Sequence, residues 1–302
     1  MISRKGYYGN MNLQFEMIHQ HKHRESFFLP YNEVDGKLKS TPPIRWLNAS
    51  AIRFMKLHWE RYDFLEKPMN LYFSLATYRD FPTFSYSWRE KSQQQKIWLE
   101  AFKDYVLKYD LFLETDSADL KESHQDALAI KEFLDKYKIV YHVKFSGSKG
   151  FHFISPYDEF AFLGLKVYDD VLESNVKNFG ALLLKCPVPL GDGNTVFDTV
   201  LLFKLIALRM KTLLACETID TGVSDIKRVC KTGYSIDVKS GLVAYPLNDE
   251  QFKSFSKEMV TTDKVISYNN YKRGLLWRHL DVPKGKREEL ILEMLRDLGI
   301  YK

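Results

Sequence analysis

The sequence predicts an α+β fold, and three features predict it. Residues 110–155 run strand, helix, strand, turn, strand: an apolar run ending in acids, an amphipathic helix, then apolar runs at 139–145 and 151–155 joined by Ser146-Gly147-Ser148-Lys149-Gly150. A long apolar helical stretch follows at 195–216. Short β-type runs stand both before this block, at 25–32, 44–47 and 71–78, and after it, at 233–236 and 241–245. The strand–helix–strand–turn–strand order gives the first of these a compact core of mixed helix and sheet.

Each element has its own justification. Residues 11–23 place Leu13, Met17 and His21 at helical spacing, so this stretch reads as a short helix with those groups inward. The runs at 25–32 and 44–47 flank a polar turn at Asp35-Gly36. Residues 49–61 read as an amphipathic helix, 71–78 as a strand, and 93–106 as a helix leading into the acidic strand. Ser117 or Asp119 can cap the next helix, on which Leu120, Ala127, Ile130, Leu134 and Tyr137 recur with helical period. The turn-rich PVPLGDGN at 187–194 marks a seam. The tail, 284–301, reads as a helix with Leu290, Ile291, Met294 and Leu298 inward.

The bulk properties narrow the function classes. The 302 residues suffice for one large domain or two modest ones. Aromatics reach 15%, with 21 Phe and 18 Tyr, which suits a thick core or surfaces on which bases stack. A net charge of +5 and a pI near 8.8 are compatible with a nucleic-acid partner and equally with a metabolic enzyme. Cys186, Cys216 and Cys230 are odd in number and lack metal-like spacing, which points to a reducing compartment and away from a cysteine zinc site. The first residues lack a signal-peptide core, and no stretch of apolar residues is long enough to span a bilayer. The expectation is an intracellular, cytoplasmic protein without a membrane partner.

Two islands carry the chemistry. In the first, LFLETD at 111–116, Glu114 and Asp116 are two apart on a strand and so share a face. Two carboxylates on one face repel unless a cation neutralises them, and magnesium or manganese would do so. Taken alone, the same pair is more readily a solvated strand end. The Ser146–Gly150 turn could cradle an anion, since its glycines let backbone N–H groups approach and Ser146, Ser148 and Lys149 add donors and charge. It is not a P-loop, which needs GxxxxGK[ST] and a following helix. His152, on the outgoing strand, could donate to a phosphate oxygen or be an ordinary half-buried strand residue. The second island, TIDTGVSDIKRVCKTGYSID at 218–237, places Asp220 after an apolar residue and then a basic run containing Arg228 and Lys231. Spacing alone does not show that Asp220 approaches Glu114.

Other groups are weaker. His19 and His23 have the i, i+4 spacing of metal ligands on a helix, but no glutamate follows in zincin order, and an exposed polar face explains them better. The segment 264–287 interleaves Tyr268, Tyr271 and Trp277 with Lys272, Arg273 and Arg278, the composition of a surface that tracks a phosphate backbone while stacking bases, or of a solvated charged face over a few core aromatics.

Together these motifs resemble the archaeo-eukaryotic primase superfamily, the small catalytic subunits of primases and their primase-polymerase relatives. LFLETD, SGSKGFHF and the 218–247 stretch match the family's three motifs in order, and weaker similarity at Arg24-Glu25, Ile44-Arg45-Trp46 and 71–78 extends the likeness over 24–247. The resemblance implies an RRM-like catalytic sheet packed with an N-terminal α/β unit, the active site lying in the cleft between them. Residues 1–108 would form that unit, 109–250 the catalytic core and 251–302 a basic helical segment, all within one catalytic domain. It implies that Glu114, Asp116 and Asp220 bind two Mg2+ or Mn2+ ions and that Arg45, Ser146, Ser148, Lys149, His152, Arg228 and Lys231 contact the incoming triphosphate. Lys272, Arg273, Trp277 and Arg278 are the expected nucleic-acid contacts.

Four departures qualify the likeness. The first acid is Glu rather than Asp, Asp237 stands where a histidine is common, the turn carries one basic residue, and the zinc knob of replicative subunits has no counterpart. No zinc is expected, and the last absence favours a stand-alone or mobile-element enzyme. The implied activity is template-directed nucleotidyl transfer, making or extending primers from NTPs or dNTPs on single-stranded DNA or RNA, with replication or mobile-element proteins as partners. An extension-only gap-filling polymerase is the nearest alternative. A non-catalytic nucleic-acid-binding recruitment module is the alternative of another class.

Overall fold

The computed structural model describes residues 2–41, 44–47, 68–78, 84–86, 106–160, 163, 194–223, 228–268 and 282–301. Within them the helices are α1 (Arg4–Tyr8), α2 (Met11–Gln20), α3 (Leu120–Lys136), α4 (Asn194–Leu213), α5 (Asp249–Lys253), α6 (Thr262–Tyr268) and α7 (Lys284–Asp297). The strands are β1 (Arg24–Val34), β2 (Lys37–Ser40), β3 (Ile44–Leu47), β4 (Met69–Tyr78), β5 (Phe84–Tyr86), β6 (Val106–Tyr109), β7 (Leu111–Asp116), β8 (His142–Phe145), β9 (Gly150–Ser155) and β10 (Val229–Lys231). The fold is α+β, as the sequence predicts. No helix of the described residues is long and apolar enough to cross a membrane.

The chain divides into two units, each built from non-contiguous segments. Unit 1 comprises Met1–Tyr105, Val143–Ser148 and Val229–Leu276. Unit 2 comprises Val106–His142, Lys149–Arg228 and Trp277–Lys302.

Unit 1 is organised on antiparallel strands in the order β10-β4-β1-β3-β5, with β2 folded back on β1 through the Asp35-Gly36 turn. Asp35 and Gly36 both have positive φ, the signature of the turn read from the sequence. Strand β4 is central and buried along nearly its whole length; Leu71, Phe73 and Leu75 are buried, as are Leu13 and Met17 of α2 and the paired rings of Tyr7 and Tyr8. His21 caps α2 and is fully buried, His19 is exposed, and His23 lies beyond the helix with φ of 57°. The two outer histidines therefore do not share a helical face.

Two expectations for unit 1 need correcting. Residues 233–236 and 241–245 are not strands. They meet in the single bridge Ile236↔Val243, where Tyr234 adopts positive φ and Ala244 serves two neighbours at once, its carbonyl accepting the Tyr234 N–H and its own N–H donating to the Ser235 carbonyl at 2.8 Å, a slip that interrupts the ladder. The strand lies just upstream: β10 pairs Val229, Cys230 and Lys231 with Ser74, Phe73 and Tyr72.

Unit 2 is built on the antiparallel β7–β9 pair, in register from Leu111↔Ser155 to Asp116↔Gly150. Helix α3 begins where Asp119 accepts the Lys121 N–H at 2.8 Å, and it buries Ala127, Ile130 and Leu134. Helix α4 buries Phe203, Ile206 and Met210. The tail helix ends at Asp297 instead of 301, since Gly299 turns left-handed just beyond it. Val106, read as a helix end, opens strand β6. The expected helices at 49–61 and 93–105, the seam at 187–193, and Lys272, Arg273, Trp277 and Arg278 lie outside the described residues.

Candidate functional site

Glu114 and Asp116 leave β7 on one face, with buried Thr115 between them pointing the other way. Across the ladder, His152 stands opposite Glu114 and Gly150 opposite Asp116. Gly150 is required there: a Cβ built on it would lie 1.7 Å from the Thr115 carbonyl oxygen. Backbone contact this close lets the two strands meet at the point where the acids emerge.

The third acid arrives along the opposite edge of β7. Asp116 N–H donates to the Thr218 carbonyl and Asp220 N–H donates to the Glu114 carbonyl, both at 2.9 Å, bracketing the bridge Thr115↔Ile219. Residues 218–220 therefore act as a short extra strand that fixes Asp220 beside Glu114. Two helices hold this segment. Asp126 on α3 accepts both the Thr218 N–H (2.9 Å) and its hydroxyl (2.7 Å), while Lys211 on α4 donates to the carbonyls of Glu217 (2.7 Å) and Ile219 (3.2 Å). Sequence reading missed both residues. Asp126 sits within the α3 pattern as an ordinary polar position, and only the fold brings 218 to it.

Each carboxylate faces a base. Glu114 Oε1 lies 3.1 Å from His152 Nε2, and Glu114 Oε2 accepts from Arg228 Nη2 at 2.8 Å. The same Arg228 nitrogen lies 3.6 Å from Asp220 Oδ2. Lys149 Nζ lies 3.2 Å from Asp116 Oδ1. Burial pushes the Glu114 carboxyl up, but the charges and hydrogen bonds of His152 and Arg228 outweigh it and bring the pKa down to about 2. His152 is itself fixed by an edge-on contact with Phe112, ring centroids 5.1 Å apart. Asp116 and Asp220 are more open, each with a side chain 42% exposed, against 18% for Glu114.

The donor chemistry fits a hard divalent ion, being three carboxylates. Their placement is one of ion pairs, however, and among the described residues no group of three His, Cys, Asp or Glu side chains is arranged to hold a metal as it stands. The cation between Glu114 and Asp220 is the Arg228 guanidinium.

The remaining expected triphosphate contacts belong to unit 1. Ser146 and Ser148 belong to unit 1, where the Ser146 hydroxyl accepts the Ser148 N–H at 3.4 Å. Gly147 has φ of 90° and packs so closely on Asp237 and Ala244 that a Cβ would lie 3.3 Å from each, while the Ser240 hydroxyl donates to its carbonyl. Lys231 is also in unit 1, buried in an ion pair with Asp237, whose carboxyl its charge helps hold below the usual range against the upward push of burial. Arg45 lies on β3 opposite Phe27 and Tyr86.

No family model matches the chain, and no curated protein does. Among solved structures the chain is similar to the polymerase domain from Mycobacterium tuberculosis Ligase D in complex with DNA, with a TM-score of 0.49 and 11% identity, covering 87% of this chain and 86% of that one. A likeness of that size assigns no activity.

Proposed function

We propose that this protein is a metal-dependent nucleotidyltransferase that makes or extends primers on a nucleic-acid template, with Glu114, Asp116 and Asp220 as its metal ligands. The observation that carries the reading is the backbone pairing of Asp220 with Glu114, 2.9 Å from N–H to carbonyl. It brings together anionic side chains from segments about a hundred residues apart, whose mutual repulsion the paired bases offset. Magnesium or manganese, when bound, would supply Lewis-acid polarisation of the attacking hydroxyl and of the leaving pyrophosphate.

The chain's own residues do the rest. A primer 3′-hydroxyl, or the hydroxyl of a first nucleotide, attacks the α-phosphorus in line. The new P–O bond forms as the bond to the β-phosphate oxygen breaks and pyrophosphate leaves. Lys149 and Arg228 are ion-paired with the acids, and in this reading each exchanges its carboxylate for a phosphate oxygen. His152, held between Phe112 and Glu114, orients Glu114.

The test is synthesis on single-stranded DNA with NTPs and with dNTPs separately, in magnesium and in manganese, with and without an annealed primer. Metal-dependent products support the reading. Products that require the primer assign the extension-only activity. Tight template binding without transfer under every condition overturns catalysis and leaves a binding module.

A further inference from the structure

We infer that Arg228 is a tethered cation that closes the carboxylate cluster in the free protein and must swing away for a divalent ion to enter. The inference rests on the metal reading above. One guanidinium nitrogen, Nη2, serves two acids: Glu114 at 2.8 Å and Asp220 at 3.6 Å. Those two carboxylates are the pair that the 218–220 bridge forces together, so the guanidinium stands where their combined negative charge is densest.

Its grip is nevertheless partial. Arginine can offer a fork of parallel N–H groups to a carboxylate, and here a single nitrogen does the work. Among the described residues the buried Arg228 Nε–H has no acceptor. A group held in this way neutralises the acids yet leaves part of its hydrogen-bonding capacity unspent, so the cost of releasing it is modest. Lys149 at Asp116 is looser still, with its side chain 54% exposed.

Two consequences follow. A metal ion entering the free protein competes with Arg228 for Glu114 and Asp220, so its affinity is lower than three carboxylates would otherwise give. A nucleoside triphosphate supplies phosphate oxygens that can receive the displaced guanidinium, so nucleotide and metal each tighten the binding of the other.

The experiment is Mn2+ titration of the full chain followed by the electron paramagnetic resonance of free Mn2+, without nucleotide and with a non-hydrolysable triphosphate. The proteins are wild type, Arg228→Gln and Arg228→Lys. Arg228→Gln is expected to bind Mn2+ about tenfold more tightly than wild type in the absence of nucleotide, and to lose most of the enhancement by nucleotide. Arg228→Lys, which keeps the charge but is too compact to serve both acids alike, is expected between the two and decides the matter if the glutamine variant folds poorly. Equal or weaker Mn2+ binding by the variants overturns the inference and leaves the metal reading standing. Binding by none of the three proteins at millimolar Mn2+ overturns the metal reading itself, and the inference with it.

Discussion

The Asp220 N–H donates to the Glu114 carbonyl at 2.9 Å, so two carboxylates remote in sequence are fixed side by side by main chain. Side-chain substitution at either acid leaves this bond in place, and the acids can be tested chemically without dismantling the segment that presents them.

The segment is instead vulnerable at Asp126. Its carboxylate takes two hydrogen bonds from Thr218, at 2.9 and 2.7 Å. Asp126→Ala is expected to cost about 2–3 kcal/mol of stability, as loss of charged hydrogen bonds does, and to weaken Mn2+ binding although it removes none of the three acids. Urea denaturation and metal titration check both effects. Unchanged metal affinity in a folded variant would contradict the anchoring role.

Gly150 is the second structural pivot. Its absent Cβ leaves room for the Thr115 carbonyl, 1.7 Å from where that atom would stand. Gly150→Ala must push β9 off β7 next to Asp116, and a loss of roughly 3 kcal/mol or more is expected, at the upper end of single-residue effects. Thermal melting of the variant provides the measurement.

Much of this was legible in the sequence, and the parts that were not share a cause. The strand at 111–116, its acids, the capped helix after it and the turn at 146–150 are local patterns, and period and composition are enough to read them. The 218–220 bridge is non-local: nothing in TID announces pairing with β7, and the clamps Asp126 and Lys211 look like ordinary surface positions. The basic run reads as charge for phosphates, and its local form is what composition does not show: Val229–Lys231 is strand β10, Lys231 is buried against Asp237, and Arg228 reaches two acids. The apolar runs at 233–236 and 241–245 looked like strands because their burial is real. Their backbones bond to each other, but Tyr234 and Ser235 both pair with Ala244, a slip in register that residue types alone do not announce.

A pH effect arises within unit 1. His21 is fully buried, with Nδ1 2.7 Å from the Ser26 hydroxyl and Nε2 2.9 Å from that of Thr232. Burial first, then the charges of Arg24 and Lys144, lowers its pKa from 6.5 to about 3. The unfolded chain therefore takes up this proton before the folded one does. The contribution of neutral His21 is complete above pH 6.5 and falls by about 1.4 kcal/mol per pH unit between there and pH 3. His21→Gln is expected to be less stable at neutral pH but to show a shallower decline between pH 6.5 and 5, where carboxylates contribute least. Parallel slopes for the two proteins would contradict this account.

The most direct test is nucleotide incorporation by Asp116→Ala and Asp220→Ala beside wild type, on a single-stranded template in magnesium and in manganese, with folding verified by melting. The expected result is metal-dependent synthesis by wild type, lowered by at least about a thousandfold in each variant, the scale on which removal of groups that stabilise the transition state acts, with melting temperatures preserved. Synthesis undiminished in either folded variant would contradict the assignment of these carboxylates to the metal-dependent step.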